Sequence, residues 1–202
     1  MQLEAKNISF GYAKNKKILD NLSICIPSGE RTALIGPSGC GKSTLAKILA
    51  GYIKPDRGEV LFEGNPLPAK AYCPVQLIYQ HPEKSINPRW KMRRTLNEAW
   101  KPEEEFVKKI GIEPEWMNRY PAELSGGEMQ RFSIARALGP KTRFILADEI
   151  TTMLDVITQA QIWDLMLSVV RERNLGLLVI THSEELAKQI CNHIVYFEDL
   201  MK

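Results

Sequence analysis

Residues Gly36, Pro37, Ser38, Gly39, Cys40, Gly41, Lys42 and Ser43, followed by Thr44, fit the pattern G-x-x-x-x-G-K-[ST]. These residue types suit one task, which is holding a polyphosphate. The glycines let the backbone curl so that successive N–H groups point at anionic oxygens. A helix opening at the loop adds the positive end of its dipole. Lys42 supplies a charge for the β- and γ-phosphates, and the Ser43 hydroxyl supplies a ligand for Mg2+. Far along the chain, an apolar run from Phe144 to Ala147 ends in Asp148 and Glu149. A buried strand delivers such carboxylates to the carboxyl edge of its sheet, where phosphate loops also sit. There Asp148 is expected to hold the Mg2+ shell through water. Glu149 is expected to face the γ-phosphate and polarise an attacking water.

The elements that must position these groups are legible as alternating short apolar runs and helical stretches. Residues 31–35, 75–79, 143–147 and 176–181 read as buried strands, and 193–197 as a last strand near the terminus. A helical stretch leaves the phosphate loop directly, so the expectation is an α/β protein with a largely parallel sheet. Residues 156–173 read as a helix that turns Val156, Ala160, Trp163, Leu167 and Val170 to the core. Residues 2–10 and 22–26 have strand character, with turns expected at Asp20-Asn21 and at Pro27-Ser28-Gly29. They predict antiparallel strands flanking the parallel core. Residues 81–124 are rich in Pro, Trp, Lys, Arg and Glu and lack strand-like runs, which predicts a mostly helical inserted lobe.

Bulk properties narrow the function classes. The 202 residues are 44% hydrophobic and 25% charged, which fits one large domain or a main domain with a small lobe. A net charge of +3 is too mild to imply a nucleic-acid partner. No run reaches the ~18 apolar residues that cross a bilayer, and the first residues lack a signal peptide's basic start and apolar run. A cytosolic protein is therefore expected, with any membrane role exerted through a partner. Cys25, Cys40, Cys73 and Cys191 form no C-x-x-C pair and read as reduced thiols. His81, His182 and His193 make no ligand cluster.

The segment Leu124-Ser125-Gly126-Gly127-Glu128-Met129-Gln130-Arg131 resembles the signature of ATP-binding-cassette ATPases, where LSGGQ or LSGGE opens a helix. Such a helix start offers a serine and bare backbone amides to a γ-phosphate. In that family the phosphate belongs to a nucleotide held by the opposite subunit, so Ser125, Gly126, Gly127 and Glu128 would close over a partner's ATP. The other elements come in the family's order. Tyr12 looks like the aromatic that stacks on adenine. Gln80 looks like the glutamine that senses Mg2+ and the water and links to the membrane partner. Thr152-Met153-Leu154-Asp155 resembles the loop that crosses the dimer interface. His182 looks like the switch histidine that contacts the γ-phosphate.

The resemblance spans Tyr12 to His182, nearly the whole chain. It implies a P-loop NTPase fold with a RecA-like parallel-sheet core, an N-terminal antiparallel β subdomain and an inserted helical subdomain. Residues 1–80 and 136–202 would form the ATP-binding core, and residues 81–135 the helical part with the signature. It also implies an ATPase that uses ATP and Mg2+ on the cytoplasmic face of a membrane. Its partners would be integral membrane permease subunits, a second cassette and a substrate-binding protein. A narrower likeness, in Tyr79 to Arg89 and in Asp155 to Ile162, is to importers of dipeptides, oligopeptides and nickel. These commonly pair two different cassettes, which leans the expectation to a heterodimer.

The sequence departs from the family's usual pattern at Ile150 (commonly Pro), Met153 (commonly Ala) and Ser183 (often Asp). None removes a catalytic group. With the last strand close to Lys202, no C-terminal regulatory domain is expected. Two other readings stay open: a soluble cassette acting in DNA repair or translation, and a cassette that binds ATP without hydrolysing it. The intact Lys42, Gln80, Glu149 and His182 argue against the second. The signature disfavours a plain P-loop kinase.

Overall fold

The strands that read as continuous apolar runs do so because both of their faces are covered. The structure, a computed structural model, describes residues 1–13, 16–68, 71–152 and 154–201. Met153 and Lys202 lie outside the described residues. In chain order the elements are β1 (Gln2–Phe10), β2 (Leu19–Pro27), β3 (Arg31–Ile35), α1 (Lys42–Leu49), β4 (Arg57–Phe62), β5 (Asn65–Pro66) and β6 (Val75–Ile78). There follow α2 (Met92–Leu96), α3 (Glu104–Lys109), α4 (Gly126–Ala137), β7 (Phe144–Asp148), α5 (Val156–Glu172), β8 (Gly176–Thr181), α6 (Glu184–Ile190) and β9 (His193–Tyr196).

Five strands form a parallel sheet in the order β6-β7-β8-β3-β9. Alternation along its strands feeds two cores. Ile145, Ala147, Leu177 and Val179 pack on one side with Phe132 and Ile134 of α4 and Ile162 and Met166 of α5. Phe144, Leu146, Leu178 and Ile180 pack on the other with Leu45 and Leu49 of α1 and with Leu3, Ile8 and Ile26 of the N-terminal strands. Those strands belong to an antiparallel sheet ordered β2-β1-β4-β5. Between β6 and β7 the chain makes only helices and short turns, as expected of the inserted lobe.

Several details differ from the sequence reading. Asp20 and Asn21 are not a turn. They lie inside β2, where Asn21 takes φ 53° and the pairing with β1 slips between Ile8/Leu22 and Phe10/Leu19. Asparagine tolerates this conformation, so the pair makes a bulge rather than a chain reversal. The buried face of α5 is also different: Ile162, Trp163, Leu165, Met166, Val169 and Val170 are buried. Ala160 is exposed, and Val156, one heptad before Trp163, is 81% exposed. Finally, β4 and β5 complete the antiparallel sheet, and α6 follows β8, capped by the Ser183 hydroxyl accepting from the Leu186 N–H at 3.2 Å.

Candidate functional site

A parallel sheet brings the carboxyl ends of all its strands to one edge, and the strand order decides which loops meet there. Gln80 follows β6, Asp148 closes β7 with Glu149 next, His182 follows β8, and Gly36 follows β3. Since β7 lies between β6 and β8, Glu149 must stand between Gln80 and His182. The side chains bear this out. Gln80 Nε2 donates to Glu149 Oε2 at 3.1 Å, and His182 Nδ1 lies 3.4 Å from Glu149 Oε1. Glu149 adopts φ 49°, a left-handed backbone rare outside glycine. Its N–H donates to Ile180 O at 3.0 Å, and Thr152 Oγ1 donates to its carbonyl at 3.1 Å. The same Thr152 oxygen accepts from Gln80 Nε2 at 3.2 Å.

The phosphate loop is shaped by Gly39 (φ 80°) and Gly41 (φ 119°), and α1 begins at Lys42. Lys42 is 5% exposed, and its Nζ donates to Gly36 O at 2.7 Å and Pro37 O at 2.8 Å, with Cys40 Sγ at 3.8 Å. The ammonium is thus held inside its own loop, beside a cleft of about 310 Å³ lined by Ser38, Gly39, Gly41, Lys42, Ser43, Thr44, Gln80 and Glu149. Burial pushes the Asp148 carboxyl above the usual carboxylate range. A hydrogen bond from Ser43 opposes that, the nearby Glu149 adds to it, and Lys42 and Lys47 pull the other way. Ser43 and Asp148 therefore converge, and they offer hard-oxygen donors of the kind that could hold Mg2+. Among the described residues no group of three or more His, Cys, Asp or Glu forms a metal cluster. Tyr12, 61% exposed, has its hydroxyl 3.4 Å from Oγ1 of Thr44, a residue of the cleft wall.

The signature residues stand apart from this group, for none of Ser125 to Glu128 lines the cleft. They form a capping box at the start of α4: the Glu128 N–H donates to Ser125 Oγ at 3.3 Å, and the Ser125 N–H donates to Glu128 Oε2 at 2.6 Å. Gly127 sits beside Leu154 and Thr158, so the start of α4 packs against the start of α5. The same α4 reaches the glutamine segment, since Gln130 Nε2 donates to Tyr79 O at 3.4 Å. A second groove, about 530 Å³, runs between the lobe and the sheet and is lined by Tyr52, Tyr72, Tyr79, Glu98, Ser133 and Arg136 among others. The sequence reading anticipated Gln80, Asp148, Glu149, His182 and the loop as neighbours. It gave Thr152 no part in this network, although a hydroxyl three residues after Glu149 was the available signal.

Comparison with known proteins gives one consistent family. A profile described as "ABC transporter" matches residues 19–152. The chain is 32% identical over 212 aligned positions to the nickel import system ATP-binding protein NikE of Staphylococcus aureus (strain bovine RF122 / ET3-1), covering 98% of this chain and 88% of that protein. The corresponding protein of strain N315 is 31% identical over the same coverage. Among solved structures, the dimeric post-hydrolysis state of the ATP-binding cassette MJ0796 bound to ADP and Pi superposes with a TM-score of 0.82 at 27% identity, covering 96% of this chain and 93% of that one.

Proposed function

The chain belongs to the ABC transporter family and is an ATPase subunit of that type, and from this premise we propose how its residues work and what it serves. Our reading is that it energises an importer of nickel, a metal chelate or a peptide, from the cytoplasmic face of the membrane. The nickel import relatives and the likeness around Tyr79 to Arg89 support this cargo class. The observation that carries the mechanism is that Gln80 and Glu149 line one cleft with the loop of Lys42, with His182 against Glu149 and the signature outside the cleft.

In this reading Tyr12 stacks on the adenine. The amides of Pro37 to Thr44 and the Lys42 ammonium take the β- and γ-phosphates, so that phosphate oxygens replace the loop carbonyls around Lys42. Ser43, Asp148 and Gln80 would hold Mg2+, which would supply positive charge against the negative charge of the phosphates. Glu149, fixed by Gln80 and His182, orients a water toward the γ-phosphorus and accepts its proton as the water oxygen bonds phosphorus and the bridge to ADP breaks. The His182 side chain, exposed beside Glu149, faces the leaving γ-phosphoryl group. Ser125 to Glu128 serve the ATP of a second cassette, whose own signature closes over this cleft.

We assign residues 81–135 as a helical unit moving against the core of 1–80 and 136–202. The tyrosine-lined groove, joined to Gln80 through Tyr79, is the face offered to a permease. A heterodimer and a substrate-binding protein complete the assembly. Gentle solubilisation of native membranes tests this. Permease subunits should come away with the chain, together with a second cassette and a binding protein specific for nickel or peptide. Recovery without any membrane protein would refute the transport assignment.

A further inference from the structure

We propose that the Thr152 hydroxyl is a positioning residue for hydrolysis, fixing which end of the Gln80 amide faces the metal. The inference rests on the ATPase reading above and goes beyond it. Thr152 Oγ1 donates to Glu149 O at 3.1 Å and accepts from Gln80 Nε2 at 3.2 Å, and the Thr152 N–H also lies 3.3 Å from Glu149 O.

The polarity of this chain of bonds follows from the donor inventory. A hydroxyl has one proton, and a carbonyl cannot donate, so that proton is committed to Glu149 O. The Thr152 oxygen is then only an acceptor toward Gln80. The Glu149 carboxylate, 3.1 Å from the same Nε2, is also only an acceptor. Two acceptors can both be satisfied only by the NH2 end of the amide, which uses its two protons on them. A flipped amide would set its oxygen against a carboxylate. Oε1 is therefore the end left to accept from water or to ligate Mg2+. Without the hydroxyl, one of the two anchors is gone and the amide is free to turn. The hydroxyl also ties the Glu149 carbonyl back over a backbone at φ 49°, a conformation that needs such support.

The test uses Thr152→Val, which keeps the shape and removes the hydroxyl, and Thr152→Ser, which keeps the hydroxyl. Binding of a fluorescent ATP analogue is measured in EDTA and in Mg2+, alongside turnover. For Thr152→Val, affinity in EDTA should match the unaltered protein, while the gain on adding Mg2+ and kcat should each fall about ten-fold, the loss of one hydrogen bond's worth of orientation. Thr152→Ser should restore both to within about two-fold. A Thr152→Val protein with an undiminished Mg2+ gain and kcat would overturn the inference. So would an equal affinity loss in EDTA that Thr152→Ser fails to rescue, since that is the mark of a loop-packing role. Absence of turnover in the unaltered protein would instead remove the reading beneath it.

Discussion

Asp148 is 7% exposed and faces Ser43, whereas the carboxylate of its neighbour Glu149 reaches Gln80 and His182 at the cleft. A strand end explains the contrast: consecutive side chains leave a strand on opposite sides, and the turned backbone of Glu149 carries its carboxylate along the sheet edge. The two should therefore fail differently. Burial raises the folded Asp148 carboxyl above its unfolded value of 3.8, so its ionised form costs stability at neutral pH. Asp148→Asn should stabilise the nucleotide-free protein at neutral pH. That advantage should vanish as pH falls through the raised folded value toward 3.8, where the unaltered carboxyl is neutral too. The variant should lose the Mg2+-dependent part of ATP affinity. Glu149→Gln should keep ATP affinity and lower turnover by about 10²- to 10⁴-fold, the range for removing a general base. Denaturation curves across pH, with binding and turnover assays, check both. Equal stability of Asp148→Asn and the unaltered protein at neutral pH, or full turnover in Glu149→Gln, would contradict the assignments.

At the scale of elements, the loop and α1 depend on what lies behind them. A Cβ on Gly41 would sit 2.9 Å from Ile18 Cγ2 and 3.1 Å from both Leu19 Cδ2 and Phe197 Cζ, at φ 119°. A Cβ on Gly39, at φ 80°, would meet no heavy atom within 4 Å. Gly39→Ala thus incurs only the left-handed backbone, about 1 kcal/mol. Gly41→Ala adds crowding against a packed wall, about 3 kcal/mol in all. Urea unfolding of the nucleotide-free proteins measures the difference, and equal costs would show that the wall yields. Phe197, which opens the short 3-10 helix Phe197–Met201 after β9, is the least expected member of that wall. Nothing local in its sequence points toward a loop some 160 residues away.

The same distinction explains what the sequence could reveal. The loop, Gln80, Asp148, Glu149 and His182 were legible because each is a chemical type fixed to a strand end, and parallel pairing puts strand ends together. Residues Phe144–Asp148 and Gly176–Thr181 were legible as strands because both faces are apolar. By contrast, β4 buries only Leu61 and begins Arg57-Gly58-Glu59, so its partner β1 rather than its own pattern makes it a strand. The turn at Asp20-Asn21 went astray because a bulge and a turn use the same residues. Thr152 was only half legible: its bond to Glu149 O is local, but its bond from Gln80, 72 residues away, exists only in the fold.

At the scale of the molecule, the cleft has a floor but no roof. Its lining comes from the loop, Gln80 and Glu149, while Ser125 to Glu128 face elsewhere. Beside those signature residues, Val156 is 81% exposed and Ile157 is 72% exposed, and the neighbouring Leu154 and Thr158 flank Gly127. We expect these two adjacent branched apolar side chains, left in water beside the signature, to be covered by a second cassette. The dimeric, ADP-bound likeness of MJ0796 fits that arrangement. We expect Val156→Asp with Ile157→Asp, in a Glu149→Gln background with ATP, to weaken association with the second cassette at least about ten-fold, since each burial is worth about 1.5–3 kcal/mol and is replaced by a charge. Sedimentation velocity reads the association. The unfolding midpoint and ATP affinity of the isolated chain should not move, because these side chains support nothing within it. Association of the unaltered chain with itself would identify a homodimer, and association only with a cassette recovered from its membranes a heterodimer. In either case the apolar pair should be needed, because its burial would contribute to the association. Full association of the double variant would put the partner on another face and leave the exposure of Val156 and Ile157 without a role.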